Sequence, residues 1–294
     1  MKIVKLFHNP DAGDAEHTKD KLVKLLESKG YKCRYTETKN QDWKKLEDDI
    51  DIVAIAGGDG TIRKICGALL TQSLQHKMQP IALIPMGTAN NIGKSLGLDL
   101  ETGEFVDLWA KECTKSIDIG KVDAATGDTF FIEALGFGIF PALMKKMKDV
   151  EEAETPEENL RIALRVLLNV VKEYEAQECS LVIDGLERHG KFLLLEVMNM
   201  LCLGPNLELN PLADPGDGIF EVVIVTEDQR EKFQWYIEKK INGLEAPFSF
   251  SVLKGRDIIV NWQGNDAHAD DELIKAGNPF HVTIDKGVFD IIIP

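Results

Sequence analysis

The segment that most constrains the fold is residues 51–61, where the apolar run DIVAIA leads directly into GGDGT. The run is typical of a buried strand, and an apparent helix over residues 61–70 follows it. Glycine lets backbone N–H groups approach a phosphate, and a helix N-terminus favours anions. A plain turn is the alternative, because Gly and Asp are common in turns. We interpret these residues as a nucleotide-phosphate loop: Gly57, Gly58, Asp59, Gly60 and Thr61.

Composition predicts a globular protein with two domains, since 294 residues with 44% apolar and 28% charged residues suffice for two ordinary cores. No run of eighteen apolar residues occurs, and the N-terminus begins as a strand, so we expect a cytoplasmic protein. The net charge of -15 argues against nucleic acid as a partner. Five cysteines, scattered singly, are expected to be reduced.

The first third of the chain alternates strand-like and helical patterns, with a short helical stretch between the second and third strands. Such alternation predicts an α/β domain over residues 1–115, built on a doubly wound parallel sheet with ligands at the carboxyl ends of its strands. From about Ser116 the pattern predicts a mostly antiparallel, β-rich domain over residues 116–294. We expect the two domains to share a cleft and the C-terminal tail to pack back on the first.

Within the second part, apolar alternation predicts strands at 129–134, 280–284 and 289–293, among others. Amphipathic spacing predicts helices at about 157–174 and 229–242.

Six motifs follow one another across nearly the whole chain: NPDAG at 9–13, GGDGT at 57–61, PMGTAN at 85–90, FIEALGFG at 131–138, ADPGDG at 213–218 and DDE at 270–272. Together they resemble the diacylglycerol kinase catalytic-domain family of lipid kinases, which is related to sphingosine kinase and, more distantly, to NAD kinase. The resemblance implies ATP and Mg²⁺ as cofactors.

By this resemblance the nucleotide contacts extend beyond GGDGT to Asn9, Gly13, Thr38, Gly87, Thr88 and Asn90, with Thr36 as the alternative to Thr38. Gly87 and Thr88 would offer a backbone N–H and a hydroxyl to phosphates. Asn90 would either stabilise the turn or cap the following helix. Ala12 stands where the family usually has Ser.

The resemblance also assigns catalytic and metal residues. Asp59 would carry its carboxylate beside a phosphate-bound Mg²⁺, and Asp270 would be the general base. Asp271 replaces a family Gly, and the cluster that it forms with Asp270 and Glu272 can raise one carboxyl pKa towards neutrality. A polar surface turn is the alternative for this cluster.

Asp214 and Asp217 resemble the ligands of a structural Mg²⁺ in the family. Two carboxylates three residues apart in a kinked loop suit a hard cation. A turn without metal is the alternative.

Three hypotheses about function remain open. The first is a kinase for a lipid alcohol such as diacylglycerol, with transient contact at a membrane surface. The second is a kinase for a soluble acceptor such as NAD. The third, which Ala12 and Asp271 favour, is a nucleotide-binding sensor without turnover. Exposed edge strands leave a homodimer open.

Overall fold

The computed structural model describes residues 1–13, 17–39, 46–72, 78–99, 102–275 and 277–294. These residues divide into two compact units. Unit 1 comprises Met1–Ile117 and Gly287–Pro294, and unit 2 comprises Asp118–Lys286. The chain therefore passes from one unit to the other twice. The boundary predicted after residue 115 lies two residues before the first crossing.

Unit 1 begins with the parallel strands and helices predicted from the alternating pattern. Its elements are β1 (Ile3–His8), α1 (Lys19–Ser28), β2 (Lys32–Glu37), β3 (Ile52–Gly57), α2 (Asp59–Gln72), β4 (Ile81–Pro85), α3 (Asn91–Ser95), α4 (Thr102–Leu108), a 3-10 turn at Trp109–Lys111 and the start of β5 (Thr114–Ala124).

The sheet of unit 1 has the strand order β2, β1, β3, β4, with every pair parallel. All six residues of β3 are buried, which explains why its sequence is a continuous apolar run. The direction of strand addition reverses between β1 and β3, and in open α/β sheets ligands bind outside the carboxyl ends of the strands at such a point. The predicted doubly wound parallel sheet is confirmed.

Unit 2 contains the rest of β5 and most of the antiparallel strands. Its further elements are β6 (Thr129–Phe131), β7 (Ala134–Gly138), α5 (Ile139–Met147), α6 (Pro156–Glu173), β8 (Gln177–Ile183), β9 (Leu186–Met198), β10 (Cys202–Leu203), β11 (Leu207–Glu208), β12 (Phe220–Thr226), a 3-10 turn at Glu227–Gln229, α7 (Arg230–Ile241), β13 (Ser251–Gly255), β14 (Asp257–Trp262), β15 (Asp266–Ala269), β16 (Glu272–Lys275) and β17 (Phe280–Ile292), whose last residues return to unit 1.

The strands of unit 2 pair antiparallel in the order β16, β15, β7, β9, β8, β14, β17, and β12 adds to β9. Side chains alternate across β9, so Leu195 and Val197 belong to one apolar core. Leu194 and Met198 belong to a second core, which helices α5, α6 and α7 cover. The predicted β-rich second domain is confirmed.

Four of the predicted elements differ from the structure. The strand predicted at 129–134 is two strands, because the backbone N–H groups of Ile132 and Glu133 donate to a side chain, Asp270. The two strands predicted at 280–284 and 289–293 are the single strand β17. Helix α2 begins at Asp59, two residues before the predicted start.

The short helix predicted between β2 and β3 is not tested, because residues 40–45 of that segment lie outside the described residues. Within the described ranges, no helix combines the length and apolar character needed to cross a bilayer.

Candidate active site

Three loops follow the carboxyl ends of β1, β3 and β4 in unit 1, and backbone hydrogen bonds connect them. The Asn9 N–H donates to the Ala56 carbonyl at 2.9 Å, and the Met86 N–H donates to the Gly57 carbonyl at 3.0 Å. The motifs NPDAG, GGDGT and PMGTAN are therefore neighbours, although up to 81 residues separate their members. This is the edge of the sheet where ligands bind in open α/β folds.

The backbones of the second and third loops touch at two glycines. A Cβ added to Gly87 would lie 2.6 Å from the Gly58 Cα, and a Cβ added to Gly58 would lie 3.0 Å from the Gly87 Cα. Real Cβ atoms do not approach backbone as closely as 2.6 Å, so Gly87 must be glycine for the loops to meet, and a Cβ at Gly58 would be tightly packed.

Asp59 connects the same two loops through its carboxylate. One oxygen accepts the Asn91 N–H at 2.9 Å, and the other accepts the Ile92 N–H at 3.1 Å. A carboxylate oxygen can accept more than one hydrogen bond. Asp59 thus positions the start of α3, and its assignment to Mg²⁺ stays a prediction.

Asn90 stabilises the turn of the third loop and does not cap α3. Its Oδ1 accepts the Gly87 N–H at 2.7 Å, and its Nδ2 donates to the Gly87 carbonyl at 2.8 Å. Its φ of +53° is left-handed, a conformation that Asn tolerates well. The Gly87 N–H that we expected to face a phosphate is therefore already bonded, whereas Thr88 is exposed.

The remaining predicted nucleotide residues lie around these loops. Asn9 donates from Nδ2 to the Thr61 hydroxyl at 3.2 Å. Gly13 has a φ of +85°, and a Cβ there would lie 2.7 Å from the Met86 side chain. Thr38 is buried just beyond β2, and its carbonyl accepts the Lys64 ammonium at 2.9 Å. Unit 1 thus places all the predicted nucleotide residues on its three loops or beside them.

Replacing Gly87 by alanine is expected to weaken ATP binding by about tenfold or more, because the new Cβ must push two loops apart and small displacements of a site are costly. Calorimetric titration with a non-hydrolysable ATP analogue measures this. Gly103→Ala is the matched control, since a Cβ there meets nothing within 4 Å. Parental affinity in Gly87→Ala would show that the contact between the loops is dispensable.

In unit 2, Asp270 lies in the turn between β15 and β16 with only 6% of its surface exposed. Its Oδ1 accepts backbone N–H groups of Ile132, Glu133 and Ala134 at 3.1, 2.7 and 3.2 Å. Its Oδ2 accepts the Ile132 N–H as well, at 2.9 Å. Successive N–H groups directed at one carboxylate form an anion-binding concavity. Asp270 therefore organises the backbone between β6 and β7, whatever its chemical role.

The three carboxylates at 270–272 do not share one environment. Asp270 is buried, whereas Asp271 and Glu272 are exposed, Glu272 as the first residue of β16. Solvent screens the charges of Asp271 and Glu272, so their electrostatic interaction with Asp270 is weaker than it would be in a fully buried cluster. The assignment of Asp270 as a general base stays a prediction.

The loop with the predicted metal ligands is folded by its own hydrogen bonds. Asp214 Oδ1 accepts the Gly216 N–H at 3.2 Å, and Asp217 Oδ1 accepts the Ile219 N–H at 2.9 Å. Both aspartates are exposed. In the part of the chain that the structure describes, no three or more His, Cys, Asp or Glu side chains are grouped to hold a metal ion. The Mg²⁺ assignment of this loop remains a prediction.

Sequence reasoning missed two buried ionisable residues beside Asp270. Glu196 and His268 are 0% and 2% exposed, and His268 Nε2 lies 3.1 and 3.2 Å from the two Glu196 carboxylate oxygens. Burial raises the pKa of Glu196. Burial lowers the pKa of His268, but the adjacent Glu196 carboxylate raises it, and the net direction is upward. A single acidic residue within the apolar run at 192–198 was the signal that could have found the pair.

Comparison with known proteins agrees with this arrangement. Residues 3–122 match the diacylglycerol kinase catalytic domain, and residues 144–293 match the YegS C-terminal NAD kinase beta sandwich-like domain. The second match alone covers half of the chain. The chain belongs to the diacylglycerol kinase catalytic-domain family. The three loops that follow β1, β3 and β4 lie in the first match, and Asp270 lies in the second.

Two Staphylococcus haemolyticus relatives of this family illustrate the degree of similarity. The protein named "Putative lipid kinase SH2167" is 28% identical over 201 residues, which cover 67% of this chain and 60% of that protein. A diacylglycerol kinase is 31% identical over 131 residues, 42% of this chain and 38% of that protein. The chain thus spans less than two thirds of the length of either relative.

A solved structure of a diacylglycerol kinase from Bacillus anthracis has the same fold as this family member. The TM-score is 0.75 at 21% identity, with 100% of this chain and 97% of that chain covered. The likeness extends through both units.

Proposed function

We propose that the protein is an ATP-dependent lipid kinase that transfers the γ-phosphate to a hydroxyl of diacylglycerol or a similar lipid alcohol. The observation that carries the proposal is the contact between Gly58 and Gly87, which brings the GGDGT and PMGTAN loops together at the carboxyl ends of β3 and β4. Family membership supports phosphoryl transfer as the reaction class.

The residues of unit 1 fit a nucleotide and its metal ion. The exposed Thr88 hydroxyl and the Thr61 hydroxyl, which already accepts from Asn9, are free to turn their hydrogens towards phosphate oxygens. We assign Asp59 to Mg²⁺, because this cation prefers carboxylate and phosphate oxygens. Bound ATP supplies the transferable phosphoryl group, and Mg²⁺ neutralises its charge.

The transfer requires little covalent chemistry from the protein. The acceptor hydroxyl oxygen forms a bond to the γ-phosphorus, the bond to the bridging oxygen breaks, and ADP leaves with those electrons. The hydroxyl proton passes to a base, a role that we assign to Asp270. Positioning and charge neutralisation supply most of the acceleration in such reactions.

A radiolabelled ATP assay with a panel of acceptors tests the proposal. The full chain is incubated with Mg²⁺ and with vesicles that contain diacylglycerol, ceramide, sphingosine or phosphatidylglycerol, and separately with NAD. We expect label in a lipid phosphate, and we expect it most strongly with diacylglycerol. Label in NAD alone would overturn the lipid assignment in favour of a soluble acceptor.

A nucleotide-binding sensor is the second candidate, and the hydrogen bonds of Asp270 favour it. Four bonds from backbone N–H groups use most of the acceptor capacity of this carboxylate. A sensor would bind ATP with measurable affinity and label none of the acceptors. The calorimetric titration and the acceptor panel together distinguish it from a kinase.

A further inference from the structure

Three adjacent strands align Glu196, Gly136 and His268 across the sheet of unit 2. Gly136 of β7 pairs with Glu196 of β9 on one side and with His268 of β15 on the other. A Cβ at Gly136 would lie 1.9 Å from a Glu196 carboxylate oxygen. Because Gly136 has no side chain, the carboxylate crosses β7 and reaches the imidazole of His268.

The partners of the His268 ring determine where its hydrogens lie. Nδ1 is 2.8 Å from the carbonyl oxygen of Asp270, which can only accept, so Nδ1 carries a hydrogen. Nε2 faces the Glu196 carboxylate, so one further proton is shared between Nε2 and Glu196. Contacts at both ring nitrogens, Nδ1 with the Asp270 carbonyl and Nε2 with Glu196, therefore fix the orientation of the imidazole.

The pair is buried on the apolar, helix-covered face of the sheet. Leu194 and Met198 occupy the same face of β9, and the ring of Phe140 lies edge-on to the imidazole at 6.2 Å. Such a pair contributes little net stability compared with apolar residues of the same size. Its presence is therefore better explained by the hydrogen bond between His268 and the Asp270 carbonyl.

His268 holds the carbonyl of Asp270, a residue in the left-handed region with a φ of +51°. Residues other than glycine adopt this conformation at a cost, and surrounding contacts must maintain it. The turn also receives the bond from the Asp270 N–H to the Ala134 carbonyl at 2.9 Å. These two bonds orient the Asp270 backbone so that its carboxylate meets the N–H groups of 132–134.

We propose that Glu196 and His268 are positioning residues for Asp270: Glu196 orients the imidazole, and the Nδ1–H of His268 holds the Asp270 carbonyl so that the carboxylate keeps its place. The catalytic part of this proposal rests on the proposed kinase function. Its structural part concerns unit 2 alone.

Two near-isosteric replacements of His268 separate its two contacts. The amide nitrogen of Asn lies close to the position of Nδ1, so His268→Asn keeps the bond to the Asp270 carbonyl and leaves Glu196 without its partner. The amide nitrogen of Gln lies close to Nε2, so His268→Gln keeps the bond to Glu196 and loses the bond to Asp270. The two variants remove opposite halves of the network.

The proposal predicts that the variant with the lower kcat is not the variant with the lower melting temperature. We expect His268→Gln to lower kcat about 10- to 100-fold with KM for ATP unchanged, and His268→Asn to stay within about threefold of the parent. We expect His268→Asn to have the lower melting temperature, because it leaves a buried carboxylate unpaired. If the pair served only stability, the less stable variant, His268→Asn, would also have the lower kcat.

His281 provides the matched control. Its Nε2 lies 3.1 Å from the Asp257 carboxylate, as in the buried pair, but both side chains are substantially exposed. The corresponding Asn and Gln variants of His281 are expected to match the parent in kcat and melting temperature.

Hydrogen exchange distinguishes failure of this inference from failure of the kinase proposal. The amides of Ile132, Glu133 and Ala134 donate to Asp270, and we expect their exchange to accelerate in His268→Gln and not in His268→Asn. This pattern in a chain that phosphorylates no acceptor would overturn the kinase function and support the positioning role. Equal exchange in both variants of an active chain would overturn the positioning role.

Discussion

Replacement of Asp59 by alanine is expected to lower turnover on the order of 10³-fold or more, since one preorganised electrostatic contact is worth about 10² to 10³. The change removes two things at once. The backbone N–H groups of Asn91 and Ile92 lose their acceptor, and the carboxylate that we propose as the Mg²⁺ ligand disappears. Steady-state phosphorylation of the best acceptor measures the loss.

Asp59→Asn separates these two contributions. The Asn side chain can still accept one N–H from the start of α3, but it is a poor ligand for Mg²⁺. If Asp59 serves the metal, both variants lose turnover alike. If it serves only the loops, Asp59→Asn keeps a substantial part of the activity, and the metal assignment is wrong.

The control for these variants is Asp20→Ala. Asp20 also lies in the first turn of a helix in unit 1, and it is exposed. We expect its removal to leave turnover and nucleotide affinity unchanged.

Replacement of Asp270 by asparagine is expected to lower kcat about 10² to 10⁴-fold, as loss of a general base does, with ATP affinity retained. The Asn oxygen can replace Oδ1 and accept the N–H groups of Ile132, Glu133 and Ala134, so unit 2 should stay folded. Pre-steady-state phosphoryl transfer and thermal unfolding measure the two effects separately. Full activity in this variant would exclude Asp270 as the base.

Asp270→Ala provides the structural comparison. It removes every acceptor that Asp270 offers to 132–134, and an unpaired buried N–H costs about 1 to 3 kcal/mol. We expect Asp270→Ala to lower the free energy of unfolding well beyond the loss in Asp270→Asn. Equal stability of the two variants would show that water replaces the carboxylate at no cost.

The arrangement of the proposed nucleotide loops was largely predictable because their chemistry is local. The residues of GGDGT and PMGTAN occupy consecutive positions, and glycine, Asp and Thr have the same conformational and hydrogen-bonding properties in any chain. The prediction that the Gly87 N–H faces a phosphate did not foresee the hydrogen-bond partner that this N–H has in the structure. Asn90 binds the N–H of Gly87, and nothing in the residue order shows that this donor is already used.

The environment of Asp270 was less predictable because it depends on strand pairing. The sequence places Asp270, Asp271 and Glu272 side by side, but only the turn between β15 and β16 buries the first and exposes the others. The break in the strand predicted at 129–134 has the same origin, since a carboxylate some 137 residues away takes the backbone donors there.

The sequence by itself determined the two-domain architecture and the order of the motifs proposed to bind phosphate, because hydrophobic periodicity and glycine placement act over a few residues. Tertiary structure alone decided that Gly58 touches Gly87 and that Glu196 reaches His268 across Gly136. The reason is register: a shift of one residue in β7 or β9 would turn these side chains to the opposite face of the sheet.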